Sequence, residues 1–168
     1  MRLPGRPLLA LSTGLLLAPA SGHAWLALLP DTPDNGRPFA IAADGAGDVL
    51  AAGRVLDPNG DDDGVLAKLA GADGALRWQQ RFDGTAPPGS GGENLAAETL
   101  RALALAPEGD ALAAGMTVNT GSGVDMLVVR RAAADGAVVW DLAVDGGASL
   151  RDEAQAIALH DGDVFVAG

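Results

Sequence analysis

The sequence predicts an all-β protein built from repeated four-stranded antiparallel units. The first observation is an internal repeat, because residues 39–84 align with residues 101–146 without a gap, at an offset of 62 residues. The second is a further, incomplete copy over residues 157–168. The third is the apolar pattern within each copy, which is typical of short strands. A repeat of this length indicates an architecture in which each unit buries its apolar surface against its neighbours.

Four strands are predicted in each copy, and the first copy shows them most clearly. Turns that contain Asp and Gly separate strand a from strand b and strand c from strand d, because these residues accept positive φ at low cost. The loop between strands b and c differs between the copies. The predicted strands are a, Phe39–Ala43; b, Asp48–Val55; c, Val65–Leu69; and d, Ala75–Phe82.

The apolar pattern differs among the four strands. Strands a to c are apolar on both faces, as in Val49–Ala52, which is typical of strands covered on both sides. Strand d alternates, with Leu76, Trp78 and Phe82 on one side, which is typical of a half-exposed outer strand. Inner strands that lie between sheets, together with an amphipathic outer strand, describe a β-propeller blade.

Local propensity disagrees with this prediction at two places. Residues 94–103 and Arg151–Leu159 are rich in alanine and leucine, which are strong helix formers. We nevertheless predict strands over Leu100–Ala106 and Gln155–Leu159, because both align with Phe39–Ala43, which has no helical signal. A short helical turn before either strand is left open.

The tryptophans supply a second measure of the repeat. Trp25, Trp78 and Trp140 are 53 and 62 residues apart, so the basic unit is 53 to 54 residues and the second copy carries an insertion. We assign the insertion to Thr85–Gly92, whose Pro and Gly content indicates an exposed irregular loop. Trp25 then belongs to an outer strand over residues 25–30.

Residues 1–24 are predicted to be an export signal. Arg2 and Arg6 precede an apolar stretch, Leu8–Ala18, that is too short to span a bilayer. Small residues follow, and cleavage is expected after Ala24, with Ala20 as the other candidate and a retained membrane anchor as the competing interpretation. The predicted organisation is therefore a signal peptide over residues 1–24 and an incomplete propeller over residues 25–168.

The composition excludes several classes of function. The chain has 11 basic and 22 acidic residues, and loss of the two leader arginines would change its net charge from −11 to −13. Such a charge disfavours nucleic acid and anionic membranes as partners. There is no cysteine, and His160 is the one histidine after residue 24, so neither a Ser-His-acid set nor a zinc site is predicted. No catalytic residue is assigned.

An acidic run in the first b–c loop is the candidate metal site. Oxygen ligands at alternate positions suit Ca²⁺. The run departs from the EF-hand pattern, because Asp62 stands where a glycine is expected and Lys68 where a glutamate is expected. A solvated acidic loop is the competing interpretation, and no other cofactor is predicted. The candidate ligands are Asp57, Asn59, Asp61 and Asp63.

Acidic residues recur at two positions of the repeat. Asp48, Asp110 and Asp163 follow the a–b turn, and we expect their side chains to accept hydrogen bonds from nearby backbone amides rather than to line a channel mouth. Asp63 and Asp125 are expected to cap the start of strand c.

Tryptophan and glycine also recur. Trp78 and Trp140 lie on the inward side of strand d in their copies, which favours packing between blades over stacking on a ligand. Gly53, Gly115 and Gly168 end strand b in every copy. We expect these glycines to permit a close contact or a bend.

These residues carry a resemblance to known families. Lys68-Leu69, then Asp73-Gly74, then Trp78 resembles the repeat of pyrroloquinoline-quinone-type propellers, in which a glycine in the c–d turn precedes by four residues a tryptophan that docks onto the adjacent blade. Ile157–Leu159 with Gly162–Gly168 resembles the SBBP-type propeller repeats of exported bacterial proteins. Because a closed propeller typically has four to eight blades, the chain is expected to be the N-terminal part of a larger propeller or to complete a ring by oligomerising.

The resemblance implies two candidate functions. The first is an exported, non-enzymatic module in the periplasm, on the cell surface or outside the cell. It would bind protein or polysaccharide through the b–c loops and the Thr85–Gly92 insertion. The second is a quinoprotein-like oxidoreductase with a quinone and Ca²⁺, for which the chain supplies few basic residues and no additional aromatic side chains.

Overall fold

The structure is a computed structural model that describes residues 15–17 by their backbone, and residues 25–29, 36–58, 60–87, 98–147 and 151–168 in full. Strands and turns make up these ranges, and no helix in them is long and apolar enough to cross a membrane. The strands are β1 Leu15–Leu17, β2 Trp25–Ala27, β3 Arg37–Ala43, β4 Val49–Leu56, β5 Asp62–Leu69, β6 Leu76–Phe82, β7 Thr99–Leu105, β8 Ala111–Asn119, β9 Gly123–Arg131, β10 Val138–Val144, β11 Ala156–His160 and β12 Asp163–Ala167.

The strands form two four-stranded antiparallel sheets and two hairpins. Strands β3 to β6 pair in chain order as the first blade, and β7 to β10 pair in the same way as the second blade. Strands β11 and β12 pair as the a–b hairpin of a third unit, and β1 pairs with β2. The predicted all-β class with four-stranded antiparallel blades is confirmed.

Strand pairing overrides helix propensity at both disputed places. Strand β7 corresponds to the predicted strand Leu100–Ala106 but begins and ends one residue earlier. Strand β11 corresponds to the predicted strand Gln155–Leu159 but begins and ends one residue later. Residues 152–155 are irregular rather than helical, and Arg151 forms a parallel bridge with Val124 of the preceding blade. Residues 94–97, where the other helical turn was left open, lie outside the described residues.

Several predicted boundaries are wrong by one to three residues, and strand a of the first copy begins at Arg37 rather than Phe39. Strand c of the first blade begins at Asp62, three residues before the predicted Val65, because Asp62 and Asp63 extend the ladder with the end of strand b. The outer strand predicted over residues 25–30 is described as a strand only as far as Ala27. The cleavage sites at Ala20 and Ala24 lie outside the described residues.

Gly53 and Gly115 do not end strand b as predicted, because β4 continues to Leu56 and β8 to Asn119. Each of these glycines faces an irregularity in strand a. The pairing register shifts between Pro38 and Ala40 opposite Gly53, and between Leu100 and Ala102 opposite Gly115. A side chain at Gly115 would lie on the backbone oxygen of Thr99 in the adjacent strand. These glycines therefore permit a close approach of two strands within one sheet, at a β-bulge, rather than a contact between blades.

The principal core lies between the first and second blades. One continuous apolar cluster draws Leu50 and Leu66 from the first sheet and Leu100 and Val129 from the second, all fully buried. Small alanines on the facing strands allow the sheets to approach closely. The two blades thus stack face to face, and a second cluster joins the second blade to the third unit.

A buried arginine adds a polar contact to this interface. The Arg131 guanidinium of the second blade lies over the ring of Phe82 of the first blade, 4.7 Å from its centroid. The same guanidinium pairs with Asp141 of its own sheet. A cation held over an aromatic face in this way stabilises the contact between the blades.

Candidate functional site

Each of the first two tryptophans docks onto the c–d turn of the blade that follows it. The Trp78 indole Nε1 donates to the backbone oxygen of Ala133 at 3.3 Å, and its ring covers Gly136. Trp25 Nε1 donates to the backbone oxygen of Gly71, the position equivalent to Ala133, at 2.8 Å. The structure therefore places Trp78 between blades, and it gives Trp25 the place of an outer strand that precedes the first blade.

A lysine reinforces the same contact. Lys68 Nζ donates to the Ala133 oxygen at 3.1 Å, so that an ammonium and an indole from one blade share one carbonyl of the next. Lys68 also pairs with Asp44 at 2.8 Å. Burial alone would raise the pKa of the Asp44 carboxyl, but Lys68 and the amides of Asp48 and Ala46 outweigh it and hold this pKa below its ordinary value. This end of the sheets, which carries the a–b and c–d turns, is called the turn face.

The recurrent turn acids accept hydrogen bonds from backbone amides that are distant in the sequence rather than from those of neighbouring residues. Asp48 Oδ1 accepts from the Gly71 amide at 3.2 Å, and Asp110 Oδ1 accepts from the Ala133 amide at 3.0 Å. Each acid thus ties its a–b turn to the c–d turn of the same blade, 23 residues further along. The third acid, Asp163, is exposed at the start of β12.

The two acids assigned to the start of strand c lie inside that strand, which corrects the predicted capping role. Asp63 pairs with Val55 in the ladder, and its carboxylate contacts Arg81 at 3.0 Å. Burial raises the pKa of Asp63 despite that cation. Asp125 accepts at 2.7 Å from both Asn119 and Ser122. Asp63 thus joins strand c to strand d, and Asp125 closes the b–c loop of the second blade against its own sheet.

The candidate calcium ligands do not act as one group in the described residues. Asp57 Oδ1 accepts from the Asp61 amide at 2.8 Å, which is the geometry of a turn. Asp63 is engaged by Arg81, and Asn59 lies outside the described residues. Of the predicted set, Asp61 is the residue whose carboxylate lies close to two carboxylates outside the set, as described next.

Three carboxylates from separate segments converge at the end of the sheets that carries the b–c loops and the d–a connections, which is called the loop face. Asp61, Asp83 and Glu98 place one oxygen each within 4.8 Å of one another. Carboxylate oxygens are ligands that Ca²⁺ prefers. The acidic run contains Asp61 but neither Asp83 nor Glu98, because strands β5 and β6 separate Asp83 from the run and the insertion separates Glu98 from it further.

Glu98 belongs to a repeated contact between blades. Its Oε1 accepts from the amides of Val118 at 2.9 Å and Gly84 at 3.3 Å, while its own amide donates to the Asp62 oxygen. In the third unit, Asp152 accepts from the Gly146 amide at 2.7 Å and donates its amide to the Val124 oxygen. We call this arrangement the carboxylate clasp.

The clasp was missed in the sequence for a simple reason. Glu98 and Asp152 occupy equivalent positions only when the second copy is aligned with the third, and the first copy has Gly36 there. An alignment of the second and third copies that includes the residues before strand a would have revealed this shared acidic position. The clasp fixes the turn after strand d of one blade to the start of the next blade.

Burial, together with nearby negative charges, raises the pKa of two carboxylates of the cluster, Glu98 and Asp61. Burial raises the pKa of Glu98, which is 3% exposed, and the charges of Asp61 and Asp83 raise it further. Burial likewise raises the pKa of Asp61, with Asp57 and Asp83 adding to it. The cluster therefore destabilises the folded chain at neutral pH, where these groups must ionise.

We expect Glu98→Gln to raise the melting temperature at pH 7 by about 2–4 °C, which corresponds to about 1 kcal/mol in a chain of this size. The amide oxygen still accepts from Val118 and Gly84, while the buried charge is lost. Because the folded-state pKa lies above the unfolded value, wild-type stability is retained at low pH and lost as pH rises through the folded pKa. The advantage of the variant should therefore vanish near pH 4.

Thermal unfolding of both proteins across this pH range, in a chelator, measures the effect. The chelator is needed because a divalent cation held by the three carboxylates would neutralise their repulsion. Asp73→Asn, on the turn face, is the matched loss of one charge and should not raise the melting temperature at pH 7. A stability difference that is the same at pH 4 and pH 7 would contradict the assigned cause.

No protein-family model matches this sequence, and no curated protein matches it. The class of the protein therefore rests on its fold and its repeated contacts. Four-stranded antiparallel blades stack face to face and are joined by docked tryptophans and carboxylate clasps. Together they define an all-β protein of blade-like repeats.

Proposed function

We propose that this chain is an exported, non-enzymatic β-propeller repeat module that binds a partner through its loop face. The partner is a protein segment that carries basic side chains. One observation carries the proposal: the loops of successive blades are bonded to one another and form a continuous polar surface. The stacked faces of the sheets, in contrast, are used for packing between blades.

Hydrogen bonds connect the loops across the boundary between blades. Thr85, after the first blade, receives a hydrogen bond from the Thr120 amide at 3.1 Å, and its hydroxyl and amide both bond to Asn119. The Thr120 hydroxyl donates to the Thr85 oxygen at 2.8 Å. These contacts hold the loops in a defined shape without a helix or strand, as a binding surface on a rigid scaffold requires.

The charge of the loop face favours a basic partner. Asp83 and Asp145 are exposed at equivalent positions of the two blades, beside the acids of the cluster and of the clasp. Arg54, Arg81 and Arg151 lie on the same face, each paired with a carboxylate, and the acids remain in excess. An excess of one sign attracts ligands of the opposite sign and speeds their association. The net charge of −11 acts in the same direction.

The test uses two double variants that have equal net charge. Asp83→Asn with Asp145→Asn alters the loop face, and Asp73→Asn with Asp135→Asn alters the turn face at equivalent, exposed positions of both blades. An oligolysine peptide is the probe. We expect the loop-face variant to bind it about fivefold or more weakly, since each exposed charge pair contributes up to about 1 kcal/mol. The turn-face variant should bind it like the wild type.

Equal weakening by both variants would overturn the proposal, because it would show attraction to net charge alone. Tighter binding of a chitosan oligomer than of oligolysine would identify a polysaccharide partner instead. Dye reduction by the chain that depends on added pyrroloquinoline quinone and Ca²⁺ would overturn the non-enzymatic role.

A further inference from the structure

One buried carboxylate of the second blade has no counter-ion in the described part of the chain. Asp125 is 4% exposed, and its Oδ2 accepts from Asn119 Nδ2 and Ser122 Oγ at 2.7 Å each. Its Oδ1 is buried and has no hydrogen-bond partner among the described residues, and no ion pair between them includes this carboxylate. A buried acceptor without a partner costs stability, so its presence requires an explanation.

The first blade shows which group pairs with the equivalent carboxylate. Asp63 is 8% exposed, and its Oδ2 accepts from Arg81 Nη1 at 3.0 Å. Arg81 pairs with Val65 in the ladder, and Asp63 lies two residues from Val65 on the same face of strand c. The guanidinium therefore crosses a diagonal between two neighbouring strands, which is a distance that long side chains span.

The second blade has an alanine where the first blade has this arginine. Ala143 pairs with Leu127, and Asp125 lies two residues from Leu127 on the same face of strand c. These positions form the same diagonal that Arg81 crosses in the first blade. Ala143 is exposed, and its methyl group carries no charge and donates no hydrogen bond. The second blade thus keeps the buried carboxylate, while the position from which a cation reaches it faces solvent.

We propose that Asp125 anchors an arginine side chain of the partner, which passes over Ala143 and donates to Oδ1. The guanidinium takes the position that Arg81 has in the first blade. This inference rests on the proposed function and narrows the basic partner to one that presents arginine. Asn119, which holds Oδ2, also accepts from Thr85, so the anchor is joined to the contact between the loops of successive blades.

Arginine suits this carboxylate better than lysine or a metal ion does. A guanidinium is more weakly hydrated than an ammonium group and is favoured in buried ion pairs. Ca²⁺ takes about six to eight oxygen ligands. Here Asn119 and Ser122 direct an N–H and an O–H at Asp125, and such donors repel a metal ion.

The experiment compares an oligoarginine and an oligolysine peptide of equal length, so that attraction to net charge cancels in the ratio of their affinities. We expect the wild type to prefer oligoarginine. Asp125→Asn should reduce this preference about fivefold or more, since it removes one ion pair. Asp145→Asn is the matched control, because it removes an exposed charge from the same face and should weaken the binding of both peptides alike.

A second variant, Ala143→Arg, supplies the cation from the chain itself. We expect it to raise the melting temperature by about 2–4 °C, the shift for one added ion pair in a chain of this size, and to remove the preference for oligoarginine. Val138→Arg adds the same charge to the same strand, near the turn face, where the side chain is 64% exposed. This control should neither stabilise the chain nor change the preference.

Each of three results would overturn the anchor: equal affinity of the wild type for both peptides, a preference for oligoarginine that survives Asp125→Asn, or equal melting temperatures of Ala143→Arg and Val138→Arg. None of them touches the proposed function, which the loop-face variant tests with oligolysine. If the wild type bound neither peptide, the proposed function would fail, and the anchor would fail with it.

Discussion

Replacing Trp78 by alanine is expected to lower the free energy of unfolding by about 3–5 kcal/mol, as for other large buried aromatic side chains. The indole is almost fully buried in the main core and donates to Ala133 of the next blade. The substitution removes apolar contacts in the core and a hydrogen bond between blades at once. Urea unfolding followed by circular dichroism measures the change.

Two matched changes make this result specific to the docked tryptophan. Trp140→Ala removes the same side chain from the equivalent but half-covered position and should cost less than half as much. Deletion of Pro87–Gly91, in the insertion predicted from the sequence, should cost less than about 1 kcal/mol, since the free energy of loop closure changes slowly with loop length. If the three changes destabilised the chain equally, the assignment of Trp78 to the interface between blades would be wrong.

Gly115→Ala is expected to produce the second large effect, a loss of about 3 kcal/mol, at the upper end of the range for overpacking. The added methyl group would meet the backbone oxygen of Thr99, and a backbone atom in a paired strand cannot rotate away. Strands β7 and β8 would have to separate at the bulge. The midpoint of urea denaturation measures the loss.

Gly45→Ala is the matched control, because nothing lies within 4 Å of a Cβ at that position. It should change the stability by less than about 0.5 kcal/mol, as surface substitutions usually do. A similar loss in both variants would contradict this explanation. It would show that glycine recurs at this position of each copy because of its conformational freedom and not because of the close approach of the strands.

The strands could be predicted because the repeat restricts each copy to one structure. Residues 99–105 have the composition of a helix, yet alignment with Phe39–Ala43 identified them as a strand, and β7 confirms it. Composition alone fails here because the pairing of β7 with β8 and its contact with the first blade outweigh a preference of a few tenths of a kcal/mol per residue. The start of strand c was missed because Asp62 and Asp63 are poor strand formers in isolation.

The contacts of the loop face could be predicted only in part. The acidic run near Asp61 was visible, but its neighbours Asp83 and Glu98 come from segments that only the folded blades bring together. The sequence also gives no sign that Arg81 engages Asp63. The spacing of acidic residues along one loop identifies candidate ligands. The groups that each carboxylate contacts depend instead on how the two sheets pack.

The sharing of one carbonyl by Lys68 and Trp78 also has a consequence for synthesis. The acceptor, Ala133, lies 55 residues after Trp78, so the indole has no docking partner until that stretch has left the ribosome. At about 5–20 residues per second, this delay is roughly 3–11 s. During this time a nascent chain presents an uncovered aromatic surface, and Trp25 has a similar wait, because its acceptor Gly71 lies 46 residues after it.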